Sequence, residues 1–119
     1  MLGAGAFQLL NGKFTEGGTA ETIYIPVPHK CRVTKIMASI EGATGTTATL
    51  LTAKIGGTAV TGGVVTLPVA GSAAGDVESA TPTALNNIAA GGALEIECNG
   101  GSDAMGSVCV TVQIDAQVS

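Results

Sequence analysis

Residues 93–118 read ALEIECNGGSDAMGSVCVTVQIDAQV, and their alternation decides the fold. Val108, Val110, Val112 and Ile114 project to one side, and Cys109, Thr111, Gln113 and Asp115 to the other. This is the two-residue period of a half-buried strand. Upstream, Leu94, Ile96 and Cys98 oppose Glu95 and Glu97 in the same way. Two such runs joined by a short polar loop predict a β-hairpin with one dry face. More of the chain has to cover that face, and the remaining strand signals supply the cover.

Those signals follow one another at short intervals. Thr19–Val27 alternates, with Ile23, Ile25 and Val27 as the apolar set. Pro26 and Pro28 remove two ladder donors, which places this strand at a sheet edge or ends it there. Cys31–Glu41 is the next strand, with Ile36, Ala38 and Ile40 buried, and Gly42–Thr46 is a turn. Thr47–Ile55 and Thr58–Val60 flank Gly56-Gly57, a two-residue loop suited to positive φ. Gly62-Gly63 breaks the return, and Val64–Leu67 forms a further strand ended by Pro68. Val64 and Val65 put apolar groups on both faces, which suits a subunit interface. Asp76–Ala80 is a candidate strand. Beyond Thr81-Pro82, Leu85 and Ile88 fit one helical turn or a wide loop across the end of the domain. About seven or eight short strands separated by turns predict an antiparallel β-sandwich, jelly-roll-like in class.

A chain of 119 residues fits one domain and one core. Residues 19–119 are assigned to that domain, and Met1–Gly18 to an N-terminal arm or edge segment. The segment holds both phenylalanines, Phe7 and Phe14, beside Leu9 and Leu10. Three readings stand: an edge strand on the domain's own core, an arm that docks on a neighbouring subunit or another protein, or plain disorder. In the docking reading Phe7, Leu9, Leu10 and Phe14 are the partner-binding residues.

Composition limits the function classes. Nine acids against five bases give a net charge of −4, whereas nucleic-acid surfaces cluster Lys and Arg to neutralise phosphate. The nearest cluster is Lys30, Arg32 and Lys35, and regular alternation puts Arg32 and Lys35 on opposite faces. No nucleic-acid partner is expected. The N-terminus lacks a basic region followed by a long apolar stretch, so it does not read as a signal peptide. No apolar run is long enough to span a bilayer, and no membrane partner is expected.

Three cysteines leave at least one thiol unpaired. Cys98 and Cys109 flank the last loop, but Cys98 shares a face with Leu94 and Cys109 with Thr111. Directly opposed residues project from the same face, so this register does not pair them without a bulge. Three free, mostly buried thiols are expected, as in a reducing compartment.

The chain is poor in residues that do chemistry. His29 is the sole histidine and reads as an exposed turn residue with no acid beside it. The Cys and His spacings do not match a zinc site. Glu95 with Glu97, and Asp76 with Glu78, are paired acids of the kind that serve hydrolysis or calcium binding, and more often simply a solvated face. Gly17-Gly18, Gly56-Gly57 and Gly62-Gly63 lack the strand–helix context of a phosphate loop. With no Trp and a single Tyr, Tyr24, aromatic platforms for sugars are scarce. No catalytic residue, cofactor or metal is expected, and the chain does not read as an enzyme.

Three stretches carry a family resemblance: VPHKCRVTKIMASIE at 27–41, GGTAVTGG at 56–63 and AGSAAGDVESATPTALN at 70–86. From about Thr19 onward the chain resembles small virion proteins of tailed bacteriophages, most closely head-decoration or cement proteins. The resemblance implies a structural β-sandwich on the capsid exterior that binds major capsid protein subunits. It also implies a homo-oligomer, a trimer if it caps local three-fold positions, assembled in the host cytoplasm. The alternative within the same resemblance is a fibre or adhesion module that binds a receptor or glycan. Under the decoration reading the N-terminal arm docks, by adding a strand or inserting Phe7, Leu9 or Phe14. Deleting Met1–Phe14 is then expected to abolish docking and leave the domain folded.

Overall fold

The computed structural model describes residues 7–42, 47–69, 72–101 and 106–116. Among these the chain is all β. The strands are β1 (Phe7–Phe14), β2 (Glu21–Pro26), β3 (Cys31–Ile40), β4 (Thr49–Ile55), β5 (Thr58–Leu67), β6 (Val77–Ala80), β7 (Asn87–Ile88), β8 (Ala93–Cys98) and β9 (Val108–Ala116). One antiparallel sheet has the order β1-β9-β3-β6, with the two-residue β7 also pairing with β3; the other has the order β2-β8-β4-β5. The chain passes between sheets at most connections. Setting β7 aside, these two four-strand orders are those of a jelly roll, the expected sandwich class.

The last two strands keep their predicted faces and lose their predicted partnership. Val108, Val110, Val112 and Ile114 are buried, as are Leu94, Ile96 and Cys98. However, β8 pairs with β2 and β4, and β9 pairs with β1 and β3. They are not a hairpin. Their dry faces meet across the core. Alternation fixes which side of a strand is dry, but the connection decides which strand lies beside it.

Among the described residues the one tight in-sheet hairpin is β4–β5. Gly56 and Gly57 both have positive φ, 60° and 83°, the primed turn that matches the right-handed twist of its strands. Past it, the expected break at Gly62-Gly63 is instead a bulge within one continuous β5. Thr52 pairs with Val64 and Lys54 with Ala59, so Val60–Gly63 all stand opposite Ala53. A Cβ on Gly63 would come within 2.9 Å of Val60 Cβ, and Gly62 has φ of 75°, so both positions require glycine. The bulge is held from outside: Thr61 N–H donates to Ala84 O at 3.0 Å, and Thr83 N–H to Thr61 O at 2.9 Å. Residues 81–88 therefore form no helical turn; they run as a bridge at Ala84 followed by β7.

A second bulge changes the expected placement of charge. The β3–β9 register shifts between Val33 and Lys35, so the buried set runs Cys31 and Val33, then Ile36, Ala38 and Ile40. Thr34 is the extra residue, and parity reverses after it. Arg32 and Lys35 consequently share the outer face, contrary to the regular-alternation reading. The edge placement of β2 is as expected, and β2 ends at Pro26. The turn expected at Gly42–Thr46 falls largely outside the described residues.

All three cysteines are free; Cys31 and Cys98 are buried, and Cys109 is exposed. Cys98 and Cys109 stay apart for a simpler reason than register, since they lie in different sheets.

Candidate interaction surfaces

The segment singled out for partner binding is β1, an edge strand of the first sheet. Its register with β9 runs without a shift from Phe7↔Asp115 to Phe14↔Val108. Phe14 is wholly buried and Leu10 packs against the core. A Cβ on Gly12 would reach 2.7 Å from Ile23 Cδ1, so β1 lies close over β2, and a side chain there would have to displace the tip of Ile23. Leu9 points the other way and is 59% exposed. The side chain of Phe7 and residues 1–6 lie outside the described residues. Of the three described side chains, Phe14 and Leu10 anchor β1 to its own domain, and Leu9 is presented outward.

Beside Leu9 the outer face of this sheet mixes polar, apolar and basic side chains. Asn11 accepts a hydrogen bond from Thr111 Oγ1 at 3.1 Å, and Arg32 pairs with Asp115 at 3.2 Å. A shallow depression of about 140 Å³ is lined by Met37, Ser39, Val77, Cys109 and Thr111. Val77 on β6 is 56% exposed. Lys13 and Lys35 join Arg32 on this face, so three of the chain's five basic residues lie here. The register shift at Thr34 makes this grouping, and a strict two-residue period does not reveal it.

The opposite outer face carries Glu95 and Glu97, and both have structural partners; the other acid pair, Asp76 and Glu78, lies at β6 of the first sheet. Glu97 forms an ion pair with Lys54 at 3.2 Å, and Glu95 accepts from Gly57 N–H at 3.2 Å across the hairpin. Asp76 accepts from Ala73 N–H at 2.8 Å and closes its own loop. These contacts hold turns and strands in place. Tyr24 stands exposed on the same face as Glu95, its cross-strand neighbour.

The remaining candidate groups are dispersed. His29 lies in the bend between β2 and β3 and is partly exposed. No three His, Cys, Asp or Glu side chains come together as a metal site among the described residues. Burial raises the Cys31 thiol above its ordinary range. Burial likewise raises Cys98, reinforced by the charge of Glu21 and partly offset by a backbone bond from Gly100. Both therefore stay protonated thiols, poor nucleophiles. Cys98 Sγ donates to Gly17 O at 3.4 Å, just beyond β1.

No protein-family model matches the chain, and no curated protein matches it.

Proposed function

We propose that this chain is a structural protein of tailed-phage virions, which decorates the capsid exterior by binding major capsid protein subunits. It would act as a homo-oligomer, a trimer at local three-fold positions, joined to the head in the host cytoplasm. The sequence resemblance supports this reading, and a jelly-roll sandwich suits a shell component. The observation that carries it is β1: an eight-residue edge without a register shift, with Leu9 exposed on its outer side. A partner strand can add to such an edge through backbone hydrogen bonds, with alternate side chains setting specificity.

Because Phe14 belongs to the core, deleting Met1–Phe14 would remove a strand as well as a docking element. Leu9→Asp is the cleaner test. Wild-type protein should co-sediment with mature heads of the phage that encodes it, and Leu9→Asp should lose that binding while unfolding at the same temperature. Equal binding by the variant would exclude β1 as the contact. Failure of the wild type to bind heads would sink the decoration reading itself.

A further inference from the structure

On the side of the first sheet away from β1, an open groove of about 510 Å³ runs between the start of β3 and the segment 81–87. Three irregularities of the backbone and core meet there. The extra residue of the β3 bulge, Thr34, lines the groove. So does Leu85, whose φ of 56° is the one positive value on a non-glycine residue among the described residues, and whose side chain is 62% exposed. Bulges and strained residues recur where a surface is shaped for a ligand.

The third irregularity is Asn86, which also lines the groove and is only 7% exposed. Its Nδ2 donates to Val33 O at 2.6 Å, and its own carbonyl accepts from Val33 N–H at 2.8 Å. That fixes the amide orientation, since the reverse would set two acceptors against each other. Asn86 Oδ1, on a residue more than nine-tenths buried, then accepts no hydrogen bond from any described residue. Buried acceptors are ordinarily satisfied by protein or by water, so this one takes its donor from water or from a ligand seated in the groove.

The geometry points to a saccharide unit as the ligand of this groove, with a sugar hydroxyl donating to Asn86 Oδ1. Arg32 is the one charged lining residue, and it already pairs with Asp115 at 3.2 Å. The site is thus close to neutral and offers little to an anion. Thr81, Thr83 and Asn87 add hydroxyl and amide groups that both donate and accept. That mixture matches a polyol. Exposed Leu85 provides an apolar rim for the C–H face of a ring. The inference goes beyond capsid binding and does not rest on it, because β9 separates β3 from β1.

The test is a two-dimensional NMR titration of the full chain with glucose, galactose, mannose, rhamnose and N-acetylglucosamine, each taken to its solubility limit. At least one should shift the Asn86 side-chain amide together with the backbone amides of Thr83 and Asn87. Thr83→Val and Asn87→Ala, both at exposed positions, should weaken that sugar by about tenfold without moving signals elsewhere. Absence of shifts at the groove with every sugar would overturn the assignment, as would shifts confined to another surface. A crystal structure soaked in the sugars in which Asn86 Oδ1 keeps an ordered water would also overturn it.

Discussion

β1 and β5 are both outer strands, one in each sheet, and they end their sheets in opposite ways. β5 is ten residues long but is broken by the Val60–Gly63 bulge, which is tied to Ala84. β1 keeps register with β9 over eight residues, and no described strand pairs with its outer side. The other two edges are blunted as well: β2 stops at Pro26, and β6 has four residues. Exposed edges invite pairing with other chains, and bulges, prolines and short strands are the usual protections. Three edges carry one of these devices. β1 has no bulge, no proline and no shortening, only the outward Lys13, and Phe14 and Leu10 root it in the core.

The root is Phe14, and removing it should have the largest effect. Phe14→Ala is expected to cost about 3–5 kcal/mol, the range for a fully buried aromatic, measured by urea unfolding. Leu9→Asp on the same strand should stay within about 0.5 kcal/mol. Equal losses from both would mean that β1 has no distinct inner and outer side. On the β5 edge the sensitive position is Gly62. A Cβ there would lie 3.0 Å from Thr81 O, at a φ of 75°. The left-handed backbone alone costs about 1–2 kcal/mol for a residue with a Cβ, and the contact adds to it. Gly57→Ala at φ 83° meets nothing within 4 Å and should cost the smaller amount. If the two variants lost the same stability, the tie between the bulge and Ala84 would not be what shapes this edge.

The contrast between these edges also explains which parts of the fold are legible in the sequence. Inward residues were readable wherever the two-residue period ran unbroken, as in Val108–Ile114 and Leu94–Cys98. So was the Gly56-Gly57 hairpin, because its turn chemistry is local. Strand partnership was not readable, because β8 and β9 are adjacent in sequence but lie in different sheets. Nor were the bulges: Thr34 looks like any strand threonine until β9 is placed beside it, and it then moves Lys35 onto the face of Arg32. Gly62-Gly63 marks an irregularity, but its neighbour at Ala84 comes from a segment some twenty residues later. The candidate surfaces follow the same division. Phe14, Leu10 and Leu9 stand out by composition alone, whereas the orphan acceptor of Asn86 exists only through the tertiary position of Val33.

The buried thiols report on the one core from both sheets, with Cys31 on β3 and Cys98 on β8. Burial raises both above the ordinary value of 9.0, so the folded state holds its protons longer than the unfolded chain does. Unfolded chains then bind fewer protons above about pH 9, and stability falls as pH rises through that range. Below that value both states keep the protons, and these groups add no pH dependence. Cys98→Ala should flatten the alkaline decline measured by thermal unfolding from pH 8 to 10.5, at some cost in stability throughout. Native protein should expose one thiol to a disulfide reagent, that of Cys109 on the face beside Lys13. Fast labelling of Cys98 would show that the Gly17 segment following β1 opens locally.

The smallest effect belongs to charge. Lys54 and Glu97 pair at 3.2 Å across β4 and β8, with side chains 28% and 50% exposed. Both ends remain in contact with water, so solvent screens the attraction and ordering two long side chains offsets part of it. Glu97→Gln should therefore lower stability by no more than about 0.5 kcal/mol. The loss should shrink further at high salt, where exposed pairs are screened within a few ångströms. The comparison to make is with Gly62→Ala on the adjoining strand. If neutralising Glu97 cost as much as filling the space at Gly62, the sheet next to the bulged edge would depend on surface charge. The expected order is the reverse, because β4 is already fixed on both sides by backbone ladders to β5 and β8, and by Leu51 and Ala53 in the core. Side-chain charge is left to adjust a register that the backbone and the packing have set.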